Sequence, residues 1–167
     1  MEINRNTQAF LQIQKIAGKA ANFKAIAERL ALGLWQDADW ETARVMVELT
    51  NRQEYGWLDT NSCKNFPRED LQIIDNLWTE YSGHRFGFSV QKKIWIDCGG
   101  TSGVFDQDVY IKFCHQTGWK RGERWLAYSD LTFNINAPLG HLPGKTGGVV
   151  WDEGNLLFRA VLLFALL

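Results

Sequence analysis

Three histidines, three cysteines and one Gly-Lys-Thr triplet are the residues from which chemistry would start. His84, His115 and His141 share no metal-ligand spacing with one another, with a cysteine or with a carboxylate. His141 lies between Gly140 and Leu142-Pro143, where it can hydrogen-bond the backbone of its own loop or, alternatively, ligate a metal or haem iron. Cys63, Cys98 and Cys114 are odd in number, widely spaced and without a Cys-x-x-Cys, which indicates neither a zinc site nor a disulfide framework. They fit a reducing compartment, and Cys98 and Cys114 read as small core residues rather than nucleophiles. Gly144-Lys145-Thr146 looks like the end of a phosphate-binding loop. The Walker pattern needs four residues between its glycine and this triplet; Gly140 leaves three, and no strand pattern precedes it. Asp70 and Asp75 stand on a helix with no second carboxylate cluster, so no catalytic set assembles and no intrinsic metal is expected.

What remains is rings and cations. Trp119, Trp125, Tyr128 and Phe133, with Phe86 and Phe88, can line an apolar slot, and Lys120, Arg121 and Arg124 stand among them. That pairing suits a flat apolar ligand with carboxylates at one edge: rings cover its faces and cations meet its acids. The other reading is an aromatic core with a solvated basic rim. A formal charge of -1 offers no broad footprint for nucleic acid. With 46% apolar residues the chain is not a disordered one, and at 167 residues it can bury one sizeable core.

The elements that must position these residues read as helices. Phe10, Ile13, Ile16 and Ala17 give a weak stripe, and Asn22 is a candidate cap for a firmer helix carrying Phe23, Ile26, Ala27, Leu30 and Leu34. Residues 35–39 read as a connection, with Asp39 capping a helix that presents Trp40, Ala43, Met46, Val47 and Thr50. Two such helices with a short connection form an antiparallel hairpin. Residues 51–66 read as a polar loop. Pro67 then opens a helix carrying Leu71, Ile74, Trp78 and Tyr81. Phe86-Gly87-Phe88 is a turn, one ring expected inward and the other toward a cleft, and Ser89 is expected to cap the next helix, which stops at Gly99-Gly100. A further helix spans about 106–116, long loops follow, and a C-terminal apolar helix closes the chain. No strand pattern of any length competes. The expectation is an all-α fold, a compact bundle of about six to eight helices, with residues 1–21 a short extension and 22–167 one domain.

These residues resemble a known family. Phe66-Pro67, Glu69-Asp70-Leu71, Ile74-Asp75, Leu77-Trp78, Tyr81-Ser82, Arg85 through Gln91 and Ile94-Trp95 are similar to the signature of the genomes-uncoupled-four, porphyrin-binding domain. Cys98-Gly99-Gly100, Gly118-Trp119-Lys120, Trp125, Leu131-Thr132-Phe133, Asn136-Ala137-Pro138 and Gly140-His141-Leu142-Pro143 follow in order. Upstream, residues 35–39 and Glu41-Thr42 also match. The resemblance implies a helical domain shaped like a cupped hand, with an apolar cleft under the late loops. It implies binding of protoporphyrin IX or Mg-protoporphyrin IX by a protein that is not an enzyme, and stimulation of magnesium chelatase in chlorophyll biosynthesis through that enzyme's large porphyrin-binding subunit. A regulatory module binding a bilin or haem is the alternative. Carried over by motif, the ligand contacts are Phe86, Phe88, Val90, Trp119, Trp125, Tyr128, Leu131, Phe133, His141 and Leu142. Arg121 and Arg124 are added as propionate partners from the reading of rings and cations. About twenty residues precede the domain and no transit peptide stands out, so a cytoplasmic protein of cyanobacterial type is expected. The apolar C-terminal helix is too short to span a bilayer and is left to cover the cleft, pair with a copy or touch a membrane surface.

Overall fold

An antiparallel helix pair opens the fold. The computed structural model describes residues 5–145 and 157–167, with side chains from 18 to 145 and from 161 to 167. Helix α1 (Arg5–Ala31) runs through Asn22 without a break. Asparagine costs a helix interior only a few tenths of a kcal/mol (roughly 0.5) relative to alanine, too little to stop it. The Asn22 amide instead accepts a hydrogen bond at 3.0 Å from Arg44 of α2 (Trp35–Leu49). Arg29 meets Glu41 at 3.9 Å, so partners rise in number along one helix as they fall along the other. The turn between them is residues 32–34, closed by the Leu34 N–H on the Arg29 carbonyl at 2.9 Å. Helix α2 therefore starts at Trp35, ahead of the expected cap. Asp39 lies inside it, on the stripe of Trp35, Ala38, Thr42 and Met46 that enters the core.

The expected loop at 51–66 contains a five-residue helix, α3 (Thr60–Lys64), whose first turn is held by Asp59 accepting from the Ser62 N–H at 2.7 Å. Pro67 precedes α4 (Arg68–Tyr81). Leu71, Ile74 and Trp78 are completely buried there, whereas Tyr81 turns outward. The Trp78 indole N–H donates to Thr42 at 3.0 Å, tying α4 to α2. Helix α5 (Phe88–Asp97) follows the elbow at Gly87. Gly87 has φ +125°, and a Cβ there would lie 2.8 Å from Asp75 Oδ1 and Thr79 Cγ2. Only glycine fits that conformation and that gap. The cap of α5 is Asp75 of α4, which accepts from the Ser89 N–H at 2.8 Å; the Ser89 hydroxyl does not perform the expected role. Asp106 caps α6 (Gln107–Thr117) through the Val109 N–H at 2.9 Å, and Gly118 ends it in the left-handed region at φ 75°.

Contrary to the all-loop expectation, Lys120–Arg121 (β1) and Arg124–Trp125 (β2) pair as an antiparallel hairpin around Gly122-Glu123. Two residues per strand are too few to show an alternating pattern, so the sequence carries no signal for them. A short 3-10 turn, Tyr128–Asp130, leads into an ordered loop, and α7 (Leu157–Phe164) ends the described chain.

Two apolar clusters form the core. One gathers Ile26, Leu30, Trp35, Met46, Leu71, Trp78, Phe86 and Phe88; the other gathers Trp95, Tyr110, Phe113, Trp119 and Leu126. Helix α7 joins them, with Leu162 and Leu163 in the first and Val161 and Phe164 in the second. Its described side chains thus face inward, which corrects the one of the three alternatives that let this helix touch a membrane surface. Among the described residues no helix is long and apolar enough to cross one.

Candidate functional site

The outer side of α2 carries a second apolar stripe. Trp40, Ala43 and Val47 are spaced three and four apart; Trp40 is open, whereas Ala43 is buried and Val47 also packs in the core cluster of Trp35 and Met46. They line a cleft of about 520 Å³, completed by Arg29 of α1, by Gln53 and Gly56 of the following loop, and by Lys145. A volume between about 300 and 1,000 Å³ is the usual range for small-molecule sites. Trp40 is 44% exposed, a large ring left open. Around the apolar strip stand Arg29, Arg44 and Lys145, and against them Asp37, Glu41 and Glu48.

The two arginines are already engaged. Arg44 bonds Glu41 at 2.6 Å, Glu48 at 2.7 Å and Asn22 at 3.0 Å. Arg29 donates to the Ala25 carbonyl at 2.8 Å and lies beside Glu41. Lys145 differs. Its side chain is 4% exposed, and its ammonium lies 3.3 Å from the centre of the Trp40 ring and 4.6 Å from that of Tyr128. Trp40 and Tyr128 meet edge to face at 5.8 Å.

Asp39 places this group. Its completely buried carboxylate accepts from the Tyr128 hydroxyl at 2.9 Å, the Gly144 N–H at 3.0 Å and the Lys145 N–H at 3.1 Å. A Cβ on Gly144 would lie 2.8 Å from Leu131, so glycine lets the backbone come this close. Burial is the largest influence on Asp39 and raises its pKa to about 6, with the three donors pulling the other way. Burial likewise lowers the Lys145 pKa, opposed by the nearby Asp39 charge. The Gly144-Lys145 amides therefore do cradle an anion, as in a phosphate loop, but that anion is the protein's own carboxylate.

The expected site residues sit elsewhere. Phe86 and Phe88 are both completely buried; neither ring faces a cleft. The late loop does cross over them, yet it is fastened down. Arg85 donates to the Ile135 and Ala137 carbonyls at 2.9 and 2.8 Å, and its own carbonyl accepts from Gly140. Gln91 donates to the carbonyls of Gly140 at 3.1 Å and Pro143 at 2.9 Å. Trp119, Leu131 and Leu142 are buried in the same packing, with Val90 and Phe133 half-buried at its edge. His141 is buried with Nδ1 2.6 Å from the Thr117 carbonyl, while Nε2 accepts from the Thr132 N–H at 2.9 Å. Both nitrogens are committed to backbone, which leaves none for haem iron. Arg121 is exposed, and Arg124 pairs with Asp130. Trp125 stacks on Tyr110 at 5.8 Å. None of these residues is among those that line the α2 cleft; Tyr128 comes nearest, through Trp40 and Lys145. Burial pushes the Cys114 thiol up, as suits a core residue rather than a nucleophile.

The sequence reading did not group Asp39, Trp40 and Lys145, which the structure brings together. One signal was available: an aspartate on the apolar stripe of Trp35, Ala38, Thr42 and Met46 is a carboxylate that must find donors inside.

Comparison with known proteins follows this geometry. A family model described as GUN4-like matches residues 17–156. A Ycf53-like protein of Synechocystis sp. is 29% identical over 130 residues, covering 76% of this chain and 52% of that protein. The chloroplastic tetrapyrrole-binding protein of Arabidopsis thaliana is 30% identical over 136 residues, covering 74% of this chain and 48% of its own. The chain thus spans about half the length of the curated relatives it matches. Among solved structures, the ligand-free GUN4 of Arabidopsis thaliana superposes with a TM-score of 0.69 at 28% identity, covering 86% of this chain and 96% of that one. GUN4 from Chlamydomonas reinhardtii gives 0.68 at 27% identity, covering 86% of each. Sequence and fold agree, and the chain belongs to the GUN4-like family.

Proposed function

We propose that this chain is a non-catalytic tetrapyrrole-binding protein, and that the cleft on the outer side of α2 receives the ligand. The single observation that carries the reading is the cleft itself. Its lining combines the Trp40 ring, Ala43 and Val47 with the cations Arg29, Arg44 and Lys145. A flat macrocycle with carboxylates at one edge matches such a lining of ring and cations. Family membership and the tetrapyrrole-binding relative support the same ligand class. Protoporphyrin IX or its magnesium form is the specific ligand proposed, because His141 has no free nitrogen for an iron ring. Stimulation of magnesium chelatase through its porphyrin-binding subunit is the proposed downstream role.

Titration with protoporphyrin IX tests the binding. The expected outcome is a saturable shift of the Soret band with quenching of tryptophan fluorescence, weakened about tenfold in Trp40→Ala by loss of the stacking face. No spectral change at micromolar protein removes the reading. Addition of the protein to a magnesium chelatase assay tests the role: an unchanged rate confines the function to binding.

A further inference from the structure

Three cations line the cleft, and they are not equivalent. Arg44 has four side-chain bonds to Glu41, Glu48 and Asn22, and Arg29 has the Ala25 carbonyl and Glu41. Lys145 is 4% exposed as a residue and its ammonium opens on the cleft; among the described residues it has two ring faces beside it and no carboxylate within ion-pair distance. It rests on two ring faces, which attract a cation but accept no conventional hydrogen bond. An ammonium that opens on the cleft, in a lining whose other cations are already paired with carboxylates, is the donor left to meet a ligand's acid.

The ammonium is also held in place. Asp39 fixes the Lys145 backbone through its N–H and fixes Tyr128 through its hydroxyl, while Trp40, next to Asp39 on α2, supplies the ring beneath the charge. Four consecutive-in-space groups from three parts of the chain thus aim one ammonium at the edge of an aromatic floor. The total charge of the cleft does not do this: Asp37, Glu41 and Glu48 offset the three cations, so attraction for an acid depends on Lys145, the cleft cation with no carboxylate partner among the described residues.

We propose that Lys145 is the carboxylate-selecting residue of this cleft, and that Asp39 is the positioning residue that sets it over Trp40. The ligand class is a flat aromatic macrocycle bearing a free carboxylate: the ring meets Trp40, and one carboxylate oxygen accepts from the ammonium. The inference rests on tetrapyrrole binding at the cleft and adds which chemical feature of the ligand is read and by which atom.

Protoporphyrin IX and its dimethyl ester separate the two. They share the ring and differ in charge. Wild-type protein should bind the diacid about tenfold more tightly than the ester, the size expected of one charge-assisted hydrogen bond in a partly buried site. Lys145→Met, which keeps the apolar stem, should lose that tenfold for the diacid and leave the ester within about twofold. Lys145→Arg should restore the preference. Equal binding of diacid and ester by wild-type protein overturns the proposal without any variant, so a variant that fails to fold does not shelter it. A Lys145→Met protein that loses diacid and ester equally also overturns it, because that is the behaviour of a packing residue. In both cases the ester still binds wild-type protein and the tetrapyrrole reading stands; if neither porphyrin binds wild-type protein, both fall together.

Discussion

The α4–α5 elbow and the outer side of α2 are both rich in rings, and they do opposite things. At the elbow, Phe86 and Phe88 are completely buried, Gly87 fits against Asp75 and Thr79, and Arg85 and Gln91 fasten the late loop over the top. Every ring there has neighbours on all sides. On α2, Trp40 is 44% exposed, and among the described residues the ammonium above it has no carboxylate within ion-pair distance. The difference teaches that aromatic density by itself marks packing in a small helical domain; the proposed site is told apart by an open ring beside a cation that faces the cleft. Each variant below attacks one side of that contrast.

The largest effect belongs to the elbow. Truncating a completely buried phenylalanine costs about 3–5 kcal/mol. Phe88→Ala should lose that much in urea unfolding, with porphyrin affinity of the folded fraction within about twofold of wild type. A Phe88→Ala protein of normal stability that no longer binds porphyrin would return the site to the elbow.

Asp39 comes next, through pH. Its folded-state pKa, about 6, lies above the ordinary value of 3.8, so the folded state holds the proton more tightly. The contribution of this group to stability is fully present below pH 4 and is lost as pH rises through 6. A difference of that size is worth about 3 kcal/mol. The stability of wild type relative to Asp39→Asn should therefore fall by about 2 kcal/mol from pH 4 to pH 7, read by denaturant melts at each pH. A flat difference would mean that the carboxylate does not feel its burial, and the contrast between a desolvated latch and an open ring would weaken.

His141 gives a smaller effect of a telling kind. Its ring joins the Thr117 carbonyl to the Thr132 N–H, and removing it leaves both buried groups unpaired. His141→Ala should cost about 2–4 kcal/mol in stability at the cost of one to two orphaned groups, and should leave the Soret spectrum of bound porphyrin unchanged. An altered Soret spectrum would make the histidine a ligand contact.

How much of this was legible beforehand follows from where each signal lives. Helix α4 was readable because Leu71, Ile74 and Trp78 repeat at helical spacing, and α6 because Asp106 and Gly118 bracket it. Those signals are local. The start of α2 was not readable: Asp39 looks like a cap, and only its three partners, about ninety to a hundred positions along the chain, show that it is a buried acceptor. The elbow was misjudged for the same reason. Gly87 announces a turn, but whether Phe88 faces a cleft or a core depends on the loop that Arg85 and Gln91 hold down. Lys145 was set aside with a failed nucleotide motif, although its amides do cradle a carboxylate. Family resemblance supplied the ligand class that no spacing could. It did not supply the position of the open surface, because the motif residues of a family include those that build its scaffold.

The smallest effect, and the finest probe of the contrast, is at the β1–β2 hairpin. Arg124 was expected to meet a ligand carboxylate, and it pairs instead with Asp130. Its side chain is 71% exposed and that of Asp130 is 37% exposed, so water screens the pair. Exposed pairs of this kind contribute about 0–1 kcal/mol. Arg124→Ala should therefore shift the melting midpoint hardly at all and leave diacid porphyrin affinity within about twofold. Both sites offer a cation near a ring: Lys120 lies 5.6 Å from the centre of Trp125, as Lys145 lies 3.3 Å from that of Trp40. At the hairpin, however, the cation already has acceptors, since the Lys120 ammonium donates to the Gly122 carbonyl at 2.6 Å and faces Glu123 at 3.6 Å. If cation and ring alone made a binding site, Arg124→Ala and Lys120→Met would weaken porphyrin as much as Lys145→Met does. If the missing carboxylate partner is what matters, only the Lys145 variant will.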